Sequence, residues 1–249
     1  MDKYGIIGYP LGHSYSRGFF TEKFQREQID AVYLNFPIPD AGQLRDILCE
    51  HPELRGLNVT LPHKQAVIHL LDELSDEARQ IGAVNVIRVR HNEDGTPRLK
   101  GFNSDIIGFM NSIRPLLKPH HRKALVLGTG GASRAVRVGL ERLGLEWKYV
   151  SRTPRDGMFT YGELSAETLD EYQVVVNCSP VGMFPNVDAC PAIPYEALTE
   201  RNLLFDLVYN PETTLFMRLG AERGATVKNG LEMLYLQAVA SWNFWNDLV

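Results

Sequence analysis

Apolar residues along this chain alternate between short continuous runs and a helical spacing of three and four. Tyr4–Gly8 opens as a short buried strand. A loop rich in Gly, Pro and Ser follows over Tyr9–Arg17, and Phe19, Phe20 and Phe24 mark one face of a helix. Ala31–Phe36 reads as a strand ended by Pro37 and Pro39, with Asp40 placed to cap a helix carrying Leu44, Ile47 and Leu48. Leu57–Leu61 is a third strand, stopped by Pro62. Ala66, Val67, Leu70, Leu71 and Leu74 predict one helix, and Ser75-Asp76-Glu77 starts another that Gly82 ends. Ala83–Arg90 reads as a strand and 91–97 as a polar turn. Strands and helices in alternation make this stretch α/β on its own.

A second α/β unit follows. Asn103-Ser104-Asp105 caps a helix with Ile106, Met110, Ile113 and Leu117 on one side. Ala124–Leu127 then reads as a buried parallel strand, Gly128, Gly130 and Gly131 as a tight turn, and Ala132, Ala135, Val136, Leu140 and Leu143 as one helix face. The free N–H groups of such a helix start, at the positive end of its dipole, suit a pyrophosphate. Gly128-x-Gly130-x-x-Ser133 departs from the dinucleotide fingerprint only in the serine at its third position. A strand–turn–helix without ligand is the alternative.

The next strand, Trp147–Val150, says which dinucleotide. An NAD site places an acid at its tip to accept from the ribose 2′-hydroxyl. Here the tip is Ser151-Arg152-Thr153-Pro154-Arg155, and two guanidiniums with two hydroxyls suit a 2′-phosphate instead. The competing reading is a solvated basic turn. Val174–Asn177, Leu203–Asp206 and Ala225–Lys228 supply further strands, and Leu231, Leu234, Ala238, Trp242 and Trp245 line a last helix. The predicted domains are 1–108, completed by 230–249, and 109–229.

Composition narrows the partners. The 249 residues carry a net charge of −4, with 44% hydrophobic and 22% charged residues, which argues against nucleic acid or an anionic membrane as the main partner. Three cysteines without a CxxC pair indicate neither a disulfide framework nor a metal site. No secretory signal and no apolar run near the ~20 residues of a membrane span are read, so the cytoplasm is expected.

Several short stretches, taken in order, resemble one family. They are Ser14-x-Ser16, Asn58-Val-Thr60-Leu-Pro-His-Lys64, Gly82-Ala-Val-Asn85, Gly101-Phe-Asn-Ser-Asp105 and Gly128-Thr-Gly-Gly-Ala-Ser-Arg134. Asn177-Cys-Ser-Pro-Val-Gly-Met183, Asp206-Leu-Val-Tyr209-Asn-Pro211 and Asn229-Gly-Leu-x-Met-Leu-x-x-Gln237 follow. Together they resemble the shikimate dehydrogenases over nearly the whole chain. The resemblance implies a reversible NADPH-linked reduction of 3-dehydroshikimate to shikimate in aromatic amino-acid (chorismate) biosynthesis. It implies an N-terminal α/β substrate domain, a Rossmann-type NADP domain, an active site in the cleft and a C-terminal helix returning to the first domain. Small molecules are then the partners, and the chain is a monomer or homodimer. Three features depart from the family pattern: Arg17 stands where Pro is usual, Ser104 where Thr is usual, and the loop between the second strand's tip and Asn177 is short.

The resemblance also assigns roles. Ser14, Ser16 and Tyr209 take the substrate carboxylate, while Asn58, Thr60, Asn85 and Gln237 read its hydroxyls. Lys64 and Asp105 are the catalytic pair. Gly128, Gly130, Gly131, Ala132, Ser133, Arg152, Thr153 and Arg155 hold the cofactor, with Met183, Gly230 and Met233 near it. The chemistry agrees with these types. Hydride addition to a ketone creates an alkoxide, which a positioned ammonium can protonate or offset. A carboxylate beside Lys64 keeps it charged, so stabilisation of the alkoxide competes with free-base action. His13 and His63 are rival acids by type. The Ser-x-Ser loop has ordinary turn chemistry as its alternative, the polar residues backbone satisfaction, and Met233 core filling. A dual quinate/shikimate dehydrogenase stays open, as do an S-adenosylmethionine methyltransferase and a non-catalytic dinucleotide sensor. The methyltransferase would want an acid where Arg152 stands.

Overall fold

In a computed structural model of the chain, the opening apolar run becomes strand β1, Asp2–Gly8. Residues 1–12 and 15–248 are described; the expected site residue Ser14, with His13 and Val249, lies outside the described residues. Two units divide the chain, one of 1–104 with 237–249 and one of 105–236.

The first unit continues with α1 (Tyr15–Arg26), β2 (Ala31–Pro37), α2 (Leu44–Glu50), β3 (Leu54–Val59), β4 (Glu73–Leu74), α3 (Asp76–Ile81), β5 (Val86–His91) and β6 (Pro97–Phe102). Its sheet runs β2-β1-β3-β5-β6-β4; β1 is parallel to β2 and β3, and β5 is antiparallel to β3 and β6. Asp40 caps as expected, accepting from Gly42 N at 2.7 Å, and the 3-10 turn that it starts leads into α2. Ser75 caps α3 and Gly82 closes it.

Three expectations give way here. The helix expected over 66–74 is a 3-10 turn, Ala66–Leu70, after which Glu73 and Leu74 pair with Lys100 and Gly101 of β6. The apolar spacing recorded burial: Val67 lies in the unit's core with Leu70, Leu71 and Leu74 packed against it, and sheet pairing takes the backbone. The third strand begins at Leu54 and stops at Val59, earlier at both ends than its apolar run suggested. The polar turn narrows to 92–96, because Pro97–Phe102 forms β6 with Leu99 and Phe102 facing inward.

The second unit comprises α4 (Asp105–Ile113), β7 (Lys123–Leu127), α5 (Gly131–Arg142), β8 (Glu146–Ser151), β9 (Phe159–Thr160), α6 (Ala166–Glu171), β10 (Val174–Asn177), β11 (Leu203–Asp206), α7 (Leu215–Ala221) and β12 (Thr226–Lys228). The last helix, α8 (Leu231–Trp245), starts in this unit and passes into the first at Gln237. All strands are parallel in the order β12-β11-β10-β7-β8-β9, which is the doubly wound arrangement with its switch point between β7 and β10. The continuous apolar run of β7 follows from burial on both faces: Ala124 and Val126 lie in one core cluster, Leu125 and Leu127 in another. Strands β8 and β9 are parallel neighbours joined by residues 152–158 alone, with no helix between them.

Leu117 is not on α4, which ends at Ile113; Pro115 sits in the 3-10 turn that follows. The units divide at 104/105 and 236/237, against the expected 108/109 and 229/230. Two contacts set the difference. Phe109 meets Phe205 edge-on with 5.4 Å between centroids, so all of α4 belongs to the second unit. Met233 lies in that unit's core cluster, which carries the first part of α8 with it. The remainder of α8 packs in the first unit, where Trp245 covers Gly56 and donates to Ile87 O at 3.1 Å.

Candidate active site

The second unit carries a cavity of about 880 Å³ at the carboxyl ends of its strands. Gly128 and Gly130 line it, as do Arg152, Thr153 and Arg155 from the short loop after β8. The two glycines have different reasons. Gly128 has a φ of +100°, which L side chains rarely adopt. Gly130 has ordinary extended backbone (φ −75°, ψ −177°), and a Cβ built there meets no protein atom within 4 Å. Neither conformation nor packing requires glycine at 130, and the open space beside it is part of the cavity. Gly130 is also the N-cap of α5 and supplies no side-chain cap, which leaves the first-turn N–H groups free for an anion.

Gly131 and Ala132 form that first turn. Ser133 is fully buried and donates to Gly130 O at 2.7 Å, so its hydroxyl braces the turn. Ser151 accepts from Thr153 N at 3.3 Å and shapes the basic loop. Arg152 and Arg155 are exposed at the cavity rim, and among the described residues neither forms an ion pair. Charge at the rim that is not spent on a protein carboxylate fits a phosphate ligand. The site fits NADP on these observations.

At the switch point, register partners Asn177 and Asp206 end β10 and β11. Asp206 is fully buried and accepts from Asn177 Nδ2 at 2.9 Å, Val208 N at 3.0 Å and Thr214 Oγ1 at 2.6 Å. Burial pushes its carboxyl up to about 6 against the pull of those three donors. Asn177 also accepts from Ser179 Oγ at 2.7 Å. This network ties down the loops that present Met183 and Tyr209, both exposed, at 45% and 39%. Gly230 and Met233 have packing roles. A Cβ on Gly230 would lie 2.2 Å from Leu207 O, and Met233 is buried in the core cluster with Phe109 and Phe205.

In the first unit the structure brings Asn58, Asn85 and Gln237 together. Asn58 Nδ2 donates to Ser241 Oγ at 2.9 Å, and Asn58 Oδ1 accepts from Tyr33 at 2.8 Å. Asn85 donates to Ser104 Oγ at 3.0 Å and more weakly to Gln237 Oε1 at 3.4 Å, and accepts from Ser104 N at 2.7 Å. Gln237 and Ser241 are one helical turn apart on α8, and Ser241 donates to Gln237 O at 2.8 Å. Ser16 lies near the Tyr33 phenol, which burial pushes well above its ordinary range. Sequence reasoning did not single out Tyr33, Ser104 or Ser241 as site residues. Tyr33 and Ser241 are single hydroxyls in apolar stretches and carry no period, whereas Ser104 lies inside the Gly101–Asp105 motif. Thr60 is half-buried past the end of β3, where its N–H donates to Ile7 O at 2.9 Å.

Lys64 lies half-buried in the turn after β3, its carbonyl accepting from Val84 N at 2.7 Å. His63 is 3% exposed and its Nε2 donates to Ile38 O at 2.6 Å. That bond anchors the turn carrying Lys64. Asp105 is 4% exposed and opens α4. Among the described residues no group of three or more His, Cys, Asp or Glu is placed to hold a metal ion.

Residues 6–87 match the shikimate dehydrogenase substrate binding domain. The shikimate dehydrogenase (NADP(+)) of Desulforamulus reducens is 35% identical over 97% of this chain and 88% of its own length. The chain belongs to the shikimate dehydrogenase family. Among family structures, the Thermus thermophilus shikimate 5-dehydrogenase in complex with NADP(H) and shikimate superposes with a TM-score of 0.85, at 32% identity over 100% of this chain and 95% of that one. The 5-ketofructose reductase of Gluconobacter sp. strain CHM43, without ligand, superposes with a TM-score of 0.81 at 27% identity, over 98% of this chain and 92% of that one.

Proposed function

We propose that this chain is an NADP-dependent oxidoreductase acting on a CH–OH group, a shikimate dehydrogenase that reduces 3-dehydroshikimate reversibly to shikimate. The observation that carries the reaction is the near full-length relationship to enzymes named for it, at 35% identity. The cavity at Gly128, Gly130 and the Arg152–Arg155 loop supports the cofactor. The methyltransferase reading loses ground to the basic strand tip, and the non-catalytic sensor to the retained Lys64 and Asp105. The net charge of −4 agrees with small-molecule partners. The same reading puts the enzyme in the cytoplasm as a monomer or homodimer.

NADPH supplies the hydride when it is bound. The chain's residues do the rest. The N–H groups that open α5 hold the pyrophosphate, and Arg152, Thr153 and Arg155 hold the 2′-phosphate. Asn58, Asn85 and Gln237, braced by Ser104 and Ser241, read the substrate's hydroxyls, with Thr60 beside them; a site built for hydroxyls rejects analogues that lack them. Ser14, Ser16 and Tyr209 take the carboxylate. Lys64 Nζ gives a proton to the substrate oxygen as the ketone is reduced and offsets the alkoxide charge, with Asp105 as the partner that the family motif assigns to it. These roles rest on the family motifs and on residue chemistry.

One assay tests the function. NADP⁺ reduction is followed with shikimate, then with quinate, then with NAD⁺ in place of NADP⁺. Turnover with shikimate and NADP⁺ well above the other combinations is expected. Equal rates with quinate would move the assignment to a dual enzyme, and no turnover with any combination would refute it.

A further inference from the structure

The connection between β8 and β9 has a consequence for the cofactor cavity. Parallel neighbours are ordinarily joined by a crossover of a dozen or more residues, most often through a helix. Here residues 152–158 suffice, and β9 is two residues long. The residue that follows β9 is Tyr161, and it lines the same cavity as Arg152, Thr153 and Arg155. In doubly wound sheets ligands lie outside the carboxyl ends of the strands. Tyr161 stands at the carboxyl end of the outermost strand on the side where β8 presents its basic tip.

The turn that carries the ring is braced. Thr160 N and Oγ1 both donate to Glu163 Oε2, at 2.6 and 2.7 Å, closing a capping box around the 3-10 turn Tyr161–Glu163. Tyr161 packs against the core cluster that contains Leu164, Leu169 and Val175, while also lining the cavity. Burial raises its phenol, and the Arg152 guanidinium, which lines the same cavity, acts against that rise. A fixed aromatic ring between a core and an open cavity, beside a phosphate-binding loop, offers a stacking surface for a planar base.

We propose that Tyr161 is the platform for the adenine ring of the cofactor, beside the 2′-phosphate site already assigned to Arg152 and Arg155 on the short β8–β9 connection. The inference rests on the NADP reading above and adds a residue that the glycine fingerprint and the basic loop do not contain. Its energy comes from the ring, not from the hydroxyl. Tyr161 contributes to binding and has no part in the hydride or proton step.

Calorimetric titration of the full chain with adenosine 2′,5′-bisphosphate tests it, with Tyr161→Ala, Tyr161→Leu and Tyr161→Phe beside the unmodified protein. Tyr161→Ala should weaken binding at least about tenfold, Tyr161→Leu by a similar factor, and Tyr161→Phe by less than about twofold. In steady state the KM for NADP⁺ should rise in the Ala and Leu variants, with kcat and the KM for shikimate unchanged. A merely structural role would depress all of these together. Tyr161→Leu keeps the apolar bulk and serves if Tyr161→Ala melts early. Binding of the bisphosphate by Tyr161→Ala and Tyr161→Leu at the unmodified affinity would overturn the assignment, as would an equal loss in Tyr161→Phe. If the unmodified chain binds no bisphosphate at all, it is the NADP reading that fails.

Discussion

Replacing Gly130 by alanine should separate cofactor binding from folding. Gly130 has backbone that alanine adopts freely, and the added methyl meets no protein atom within 4 Å. Two small terms act on the unliganded fold. Alanine restricts the unfolded chain, which stabilises by ~0.4–1 kcal/mol. It is a poorer N-cap than glycine, which costs from a few tenths to about 1 kcal/mol. The two nearly cancel, so the melting temperature without ligand should move by less than ~2 °C, given ~2–4 °C per kcal/mol for a chain of this size. Binding has no such cancellation. The methyl enters the cavity where an anion approaches the start of α5, and one lost charge-assisted hydrogen bond is worth ~1.5–3 kcal/mol. The dissociation constant for NADP⁺ should therefore rise about 10- to 100-fold in a calorimetric titration. Gly128→Ala is the contrast: at φ +100° a side chain costs ~1–2 kcal/mol or more, so that variant should melt several degrees lower. NADP⁺ binding by Gly130→Ala within twofold of the unmodified chain, or a fall of more than ~5 °C in its unliganded melting temperature, would refute the reasoning.

Lys64→Ala should lower turnover by roughly 10²–10⁴-fold with a much smaller change in shikimate binding, and the double variant with Asp105→Asn should lose clearly less than the product of the two single losses. Simple multiplication of those losses in steady-state kinetics would break the pair. Arg152→Ala should raise the KM for NADP⁺ and leave that for NAD⁺ nearly unchanged; equal increases for both would remove the 2′-phosphate role. Asp206 gives a pH dependence with a definite sign. Its carboxyl is raised from 3.8 to about 6, so between those values the folded chain binds more protons than the unfolded one and stability falls as pH rises. The shift corresponds to ~3 kcal/mol, fully lost by about pH 7. Asp206→Asn removes that titration, so urea midpoints should favour the variant by about that much more at pH 7 than at pH 4, and a pH-independent difference would exclude it.

The legible part of this protein is the part whose cause is local. Asp40, Ser75 and Gly82 mark helix ends because the orphan N–H and C=O groups they serve lie within one turn. The β7–turn–α5 segment and its basic strand tip span 123–155, so the apolar run, the glycines and the arginines could be read together from one stretch of chain. What the sequence by itself determined was therefore the α/β class, the dinucleotide unit and the residue types of the site. The tertiary structure decided what depends on distant partners. Leu71 and Leu74 keep a helical spacing yet serve an extended backbone, because the edge of β6 was there to pair with. Asn58 and Ser241 meet across 183 residues of sequence, a contact that neither neighbourhood encodes. Met233 and Gly230 stand in a cofactor motif, but the core with Phe109 and Phe205 buries the Met233 side chain and the Leu207 carbonyl leaves no room for one at 230. Tyr161 came to the cavity because β9 follows β8 without a helix, and that omission acquires meaning only when the two strands lie side by side. Periodicity reports how each residue is buried along its own element; which element buries it is set by chain closure over long separations.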